Sequence, residues 1–385
     1  MTTQCDATQA AVSRIGTILQ ERGLDVVLLL GLENVQFAAG APLRSASALD
    51  RPNVILVDRD GKGVVFTSQE TVSTVGLMAP SLEVLGYDER GARFPNGIVD
   101  RVADYLSSMY ASTARLGFEA DRMPVVAHAM LHRLLPAADL VEFDDALRLL
   151  RMVKSPPEIA TIAEAAALTE QALARTIADL SAGMTEREVA DRLVSHMQSA
   201  GFSTVDPLVG GGPNAARIGP PTARRFEDGD WVRLDVKSRY QGYFYTDAGR
   251  MAVVGKPDQA QQDAYARQYE LNRRVIEYMG PGRRCGDVYL HARRECENLG
   301  IELFNYGHIG IGHGIGVGGT ERPVLHERDD VILEPGMIVN IEPNTYGPDR
   351  EILHIEDMLL ITDEGADPIS HREDWTTLRS TGGLP

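Results

Sequence analysis

The sequence predicts an α+β chain of two domains: a smaller α/β domain over residues 1–150, and a larger one over 151–385 with an internal pseudo-two-fold repeat. Three observations predict it. A length of 385 residues exceeds one average domain. The run Arg151-Met152-Val153-Lys154-Ser155-Pro156-Pro157-Glu158 reads as a boundary, because Ser-Pro-Pro sets an extended segment and then opens a helix with proline. Beyond it, the stretch 181–189 closing at Gly201 aligns with 280–288 closing at Gly300 at one offset of 99 residues (183 to 282, 189 to 288, 201 to 300).

In chain order, a helical pattern over 7–21 stops at Gly23, and the apolar run 26–30 follows as a buried strand bounded by Gly31. Strands over 53–57 and 64–66 flank Asp58-Arg59-Asp60-Gly61, a hairpin turn with a glycine available for positive φ. Strand and helix then alternate through 82–85, 98–109 and 115–118, which favours a mixed sheet covered by helices. No chemical cluster stands out here, and Asp121, Arg122 and His128 read as a helix start and surface. In the second domain each repeat is a glycine-ended helix followed by a capped amphipathic one, with Thr185 and Glu188 forming a capping box in the first. Two copies of helix, helix and hairpin imply a cleft between halves.

Composition narrows the function. With 38 Lys+Arg against 55 Asp+Glu the formal charge is −17, and no basic run longer than a pair offers a local exception, so nucleic acid and anionic membrane surfaces are excluded as partners. A small molecule is the expected ligand. The apolar run 26–32 is far short of the roughly 20 residues a spanning helix needs, and the first ten residues lack the basic-then-apolar order of a signal peptide, so a cytoplasmic location is expected. Cys5, Cys285 and Cys296 lack metal-type spacing and read as reduced thiols.

The chemistry concentrates in the last 150 residues. Asp235 begins the strand of one hairpin arm and Asp247 lies on the other, so the two can converge on one face. Gly312-His313-Gly314-Ile315-Gly316 holds an imidazole between glycines, which lets the backbone come close to whatever the ring binds. Glu342 and Glu356 each sit in an otherwise apolar strand pattern. Burying an unpaired carboxylate costs on the order of several kcal/mol unless it is neutralised or coordinated. Four carboxylates and one histidine form a hard, oxygen-rich set able to hold two divalent ions, and the absence of cysteine points to Mn, Co, Fe or catalytic Zn.

Read together, Asp235, Gly242-Tyr243, Asp247-Ala248-Gly249-Arg250, Gly312-His313-Gly314-Ile315-Gly316, Glu334-Pro335-Gly336-Met337, Ile341-Glu342-Pro343 and Ile355-Glu356-Asp357 resemble the pita-bread metallopeptidase family. That family includes aminopeptidase P, prolidase, methionine aminopeptidase and the metal-free creatinase. The boundary run and residues 34–40 resemble its two-domain creatinase/prolidase branch. The resemblance implies a creatinase-type amino-terminal domain over 1–150 and a pita-bread catalytic domain over 151–385. It implies two divalent metal ions on Asp235, Asp247, His313, Glu342 and Glu356, with Asp247 and Glu356 bridging and Glu342 also moving the proton. It further implies hydrolysis of an amide or other C–N bond in a dipeptide or small molecule, and a homodimer in which one amino-terminal domain caps the partner's site.

Four departures from the family pattern qualify this. One extra residue separates the two aspartates, so 243–246 is expected to hold a bulge that re-aims Asp247. Thr320-Glu321-Arg322-Pro323 stands where family peptidases carry His-Glu-x-Pro, Gly219 where they carry a histidine, and His354 where they carry an arginine. Losing one donor to a tetrahedral intermediate costs roughly 100- to 1000-fold in rate. The expected substitutes are His308 and His354 in catalysis, and Arg217, Thr320, Arg322 and Tyr243 toward substrate; strand parity puts His354 on the face of Glu356. The alternatives are a family member acting on a small non-peptide metabolite, hydrolysing or eliminating from it, and a binding protein that keeps the fold without catalysis.

Overall fold

In the computed structural model, residues 2–43, 52–88, 95–110, 114–304, 307–369 and 373–381 are described, with the side chains of 2–7 and 308 excepted. The chain divides into two compact units, Met1–Arg151 and Met152–Pro385.

The first unit is built on six strands: β1 (Val26–Leu29), β2 (Val54–Asp58), β3 (Gly63–Ser68), β4 (Glu83–Tyr87), β5 (Arg115–Phe118) and β6 (Asp139–Glu142). They line up as β4-β3-β2-β1-β5-β6. Only β1–β2 and β2–β3 are antiparallel, which makes the mixed sheet the sequence predicts. The β2–β3 turn forms as expected: Asp58 Oδ1 accepts from the backbone N–H groups of Asp60 and Lys62, both at 2.9 Å, and Gly61 takes φ 73°. Helices α1 (Thr2–Glu21), α2 (Leu32–Ala39), α3 (Val72–Met78), α4 (Ile98–Met109), α5 (Val125–Leu134) and α6 (Asp144–Met152) complete this part of the chain. One cluster of Val26, Leu28, Leu56, Phe66, Val102 and Leu131 joins sheet to helices.

The second unit opens as the Ser-Pro-Pro run predicts. Ser155 donates its backbone N–H to Glu158 Oε2 at 2.8 Å and its hydroxyl to the same atom at 2.7 Å, closing the start of α7 (Pro156–Ala178). After α7 come α8 (Glu186–Ser199), β7 (Phe202–Gly211), β8 (Trp231–Tyr240) and β9 (Phe244–Val253). A second set follows: α9 (Gln259–Tyr278), α10 (Cys285–Leu299), β10 (Gly312–Gly314), β11 (Glu321–Val324), β12 (Ile338–Ile341), β13 (Thr345–Tyr346), β14 (Ile352–Leu353), β15 (Asp357–Ile361), β16 (Ala366–Pro368) and β17 (Arg379–Ser380). The sheets run β17-β9-β8-β7 and β11-β10-β12-β15-β16. The repeat is physical: Gly183 and Gly282 turn at φ 89° and 82°, and Gly201 and Gly300 end α8 and α10 at φ 97° and 64°.

Strand parity divides each sheet into two faces. Val232, Leu234 and Val236 of β8 and Ala248 and Ala252 of β9 share a core with Leu173 and Ile177 of α7 and Leu193 of α8. Val339 and Ile341 of β12 and Leu359 and Ile361 of β15 do the same with Val275 of α9 and Val288 of α10. The alternate residues point away from the helices, and these include Asp235, Lys237, Asp247, Gly249 and Asn340.

Arg250 ties the two sheets together. Fully buried, its guanidinium donates to Glu170 of α7, to Asp357 Oδ1 at 2.7 Å and to the backbone carbonyls of Gly249 and Glu356, while Trp375 Nε1 donates to Glu170 at 3.1 Å. Truncating one partner of such a buried network costs about 3–5 kcal/mol, because the remaining charges stay in low dielectric. Arg250→Met is therefore expected to lose about that much in urea unfolding; a loss below about 1 kcal/mol would remove Arg250 from this role.

Candidate metal centre

The β8–β9 hairpin sets the first two acids. Its ladder runs unbroken from Trp231↔Val253 to Tyr240↔Phe244, so residues 243–246 hold no bulge and that expectation is corrected. Residues 241–243 form the turn instead, with Gln241 at φ 49° and Gly242 at φ 73°. Asp235 opposes Gly249 and Lys237 opposes Asp247, so all four share the face turned away from the helices.

His313 lies at the centre of β10. A Cβ on Gly312 would stand 2.2 Å from the carbonyl oxygen of Asn340, and one on Gly314 would stand 2.2 Å from that of Arg322. The flanking glycines thus admit the neighbouring strands β12 and β11. Glu342 directly follows β12, its N–H donating to Ile311 O at 2.8 Å. Glu356 directly precedes β15 and pairs through its backbone with Gly249, which brings the sheets together at the acids.

The five sequence-predicted ligands converge. His313 Nε2 is 3.6 Å from Asp247 Oδ2 and 3.8 Å from Glu342 Oε1. One donor atom each from Asp247, His313 and Glu356 lie within 4.8 Å of one another, and so do one each from Asp235, His354 and Glu356. Glu356 belongs to both groups. Asp247, His313, Glu342, His354 and Glu356 are each at most 4% exposed, while the side chain of Asp235 keeps 14%. His313 Nδ1 lies 2.9 Å from Gly314 O, the arrangement that leaves Nε2 free to coordinate.

The electrostatics call for positive charge. Burial, then the charges of Glu356, Asp247 and Asp235, push Glu342 well above its ordinary range; burial, then Asp247 and Asp235, do the same to Glu356. Burial also raises Asp235, with His354 opposing and Asp247 assisting. Burial drives His354 down to about 4 against the pull of Asp235. An oxygen-rich donor set with two imidazoles and this much unrelieved negative charge fits divalent cations.

The sequence-predicted substitutes divide. His354 joins the cluster, its Nε2 3.0 Å from Glu356 Oε2 and 4.0 Å from Asp235 Oδ2. Thr320 reaches it through Lys237, whose Nζ is 3.1 Å from Thr320 Oγ1. Arg217 is exposed and turns its guanidinium to Asn214 at 3.0 Å; only its carbonyl serves the site, accepting from Arg233. Arg322 is exposed and pairs with Asp329 at 2.9 Å, and Tyr243 packs edge-on against Phe244 in the hairpin turn. The side chain of His308 lies outside the described residues.

Sequence reasoning missed the cations. Lys237 Nζ sits 2.8 Å from Asp247 Oδ2, and its position two residues after Asp235 could have revealed it by parity. Arg233, also two residues away, is wholly buried with Nη1 3.5 Å from Asp235 Oδ2. Asn340 Nδ2 donates to Glu356 Oε1. Cys285 and Cys296 are free and buried, and among the described residues no helix is long and apolar enough to cross a membrane.

With this geometry in place, likeness to known proteins identifies the class. Residues 160–363, more than half of the chain, match Metallopeptidase family M24, and residues 12–153 match the Creatinase/Prolidase N-terminal domain. The chain belongs to Metallopeptidase family M24, in the creatinase/prolidase/aminopeptidase P branch, and is a metal-dependent hydrolase. It is 27% identical over 363 residues to YqhT, an uncharacterized peptidase of Bacillus subtilis, covering 94% of this chain and 97% of that protein. It is 27% identical over 376 residues to a Xaa-Pro dipeptidase of Pyrococcus horikoshii, covering 96% of this chain and 99% of the relative. Among solved structures, a Xaa-Pro dipeptidase from Bacillus anthracis shares the fold with a TM-score of 0.82 at 24% identity, over 97% of this chain and 99% of that one.

Raised acids give a signed pH dependence. In the cation-free protein Asp235, Glu342 and Glu356 bind protons more readily than they do in the unfolded chain, so stability falls as pH rises above the usual carboxylate value of about 4.5. Urea unfolding of metal-stripped protein from about pH 5 to about pH 8 should show that fall, with added Mn(II) or Co(II) stabilising more at the higher pH. Stability that rises across this window without metal would contradict it.

Proposed function

We propose that the protein is a dinuclear metallohydrolase that cleaves the amide bond of small substrates, with Xaa-Pro dipeptides as the first class to be tried. The carrying observation is that Glu356 lies between Asp247 and His313 on one side and Asp235 on the other, with donor atoms within 4.8 Å in each group. The names of the relatives from Pyrococcus horikoshii and Bacillus anthracis support the substrate class.

Asp235, Asp247, His313, Glu342 and Glu356 would hold two divalent ions, with Mn, Co, Fe and Zn all compatible with these donors. Bound there, such ions supply Lewis acidity that activates water near neutral pH and polarises the scissile carbonyl. Glu342, buried beside His313 Nε2 at 3.8 Å, would take a proton at its carboxylate and return it to the leaving amine. Lys237 holds Asp247 in place and, 35% exposed, marks the open side of the cluster beside Thr320. A small non-peptide amide or amidine is the second reading, favoured by the engagement of Arg217 with Asn214 and of Arg322 with Asp329, which occupies two side chains expected to face a peptide.

Mn- or Co-loaded protein should hydrolyse Xaa-Pro dipeptides, and Glu342→Gln should lower kcat by about 100-fold or more. A fully metallated protein inactive on a broad dipeptide panel would end the peptidase reading and direct the search to cyclic amidines. The same reading carries a homodimer, for which light scattering should give a mass near twice 42.0 kDa; a mass near 42.0 kDa would contradict it.

A further inference from the structure

We infer that His354 is itself a metal ligand: its Nε2 completes the position formed by Asp235 and Glu356, so that each of the two positions carries one imidazole, His354 on one and His313 on the other. The inference rests on the dinuclear reading above and assigns a donor beyond the five ligands of that reading.

Four observations converge on the ring. Donor atoms of Asp235, His354 and Glu356 lie within 4.8 Å of one another, and so do those of Asp247, His313 and Glu356. His354 Nε2 faces both carboxylates, at 3.0 Å from Glu356 Oε2 and 4.0 Å from Asp235 Oδ2, and the side chain is 1% exposed.

Third, the ring is seated in space that only glycine leaves open. A Cβ on Gly249 would stand 1.6 Å from His354 Cδ2 and 2.0 Å from Nε2, so the imidazole occupies the volume a side chain at 249 would need. Gly249 is the direct cross-strand partner of Asp235, so the absent side chain is what brings the imidazole beside that carboxylate. Any larger residue at 249 would expel it.

Fourth, the far nitrogen has an orienting partner. His354 Nδ1 lies 3.0 Å from the Asn344 side-chain amide, whose Oδ1 has no hydrogen-bond partner among the described residues. The two ends of an amide exchange by a half-turn. With Oδ1 turned toward the ring, His354 carries its proton on Nδ1 and donates it to Asn344, while the Nε2 lone pair points at the carboxylates. The same half-turn gives up the longer 3.5 Å contact from Asn344 Nδ2 to Glu342 Oε2. A ring proton on Nδ1 held by an oxygen is the usual state of a ligating histidine, and His313 with Gly314 O already shows that arrangement.

Two nitrogens among mainly carboxylate donors shift preference away from Mn(II) and toward Co(II), Zn(II) and Fe(II). The test uses full-length protein, stripped and reloaded with Co(II), with calorimetry for stoichiometry and X-ray absorption for the imidazole count. Wild type should bind two cobalt ions with one imidazole per cobalt on average. His354→Gln, which keeps much of the ring's volume, should weaken one of the two ions by about 10-fold or more and lower the imidazole count. Gly249→Val should do likewise by displacing the ring.

Two ions in wild type with only one imidazole between them would overturn the inference and leave the dinuclear reading standing. So would a His354→Gln protein with unchanged affinities and an unchanged cobalt spectrum. Fewer than two ions in wild type would overturn the dinuclear reading, and the inference with it. The imidazole count is read on the unmodified protein, so it decides the matter even if a variant fails to fold.

Discussion

Four carboxylates, Asp235, Asp247, Glu342 and Glu356, are gathered on the faces of two sheets that their covering helices do not touch, three of them nearly sealed from water. Water is no longer there to solvate them, and their mutual repulsion raises Asp235, Glu342 and Glu356 together. The surrounding structure is arranged around that concentration of charge. Helices α7 to α10 hold the opposite faces through apolar residues, which fixes the direction in which every acid points. The pairing of Gly249 with Glu356 then closes the distance between the halves.

Cations of the chain itself meet part of the demand. Lys237 takes Asp247 and Arg233 approaches Asp235, while Arg250, on the helix side of β9, takes Glu170 and Asp357 and clamps the backbone of Glu356 from behind. None of these contacts neutralises Glu342. The charge that remains is what a hydrolytic metal centre uses, and membership in Metallopeptidase family M24 gives that unmet charge its chemical meaning.

Much of this was legible in the sequence because it depends on local rules. The proline-started helix at Pro156, the Asp58 turn and the paired glycines 183/282 and 201/300 each need only a few adjacent residues, and each formed as read. The ligands were legible for a related reason: an acid among apolar neighbours in a strand pattern is conspicuous wherever the strand pairs. What escaped depends on residues distant in the chain. Nothing near Gly249 announces that His354, over a hundred positions later, fills its missing side chain. Nothing near Gly312 or Gly314 announces that strands β12 and β11 need the space. The extra residue between the aspartates could be a bulge or a longer turn on sequence alone, and only the ladder decides for the turn. For Arg217 and Arg322 the unread partners are near in the chain: Asn214 and Asp329, three and seven positions away, meet their guanidinium groups.

In the proposed dinuclear site this face binds metal through Glu356, common to both ions. Elemental mass spectrometry on gently purified wild type, with Glu356→Ala prepared beside it, tests that most directly. About two divalent ions per chain are expected in the wild type and a clear drop in the variant. No ion in either protein, even after loading, would contradict the dinuclear site and leave the four carboxylates without the partner their burial requires.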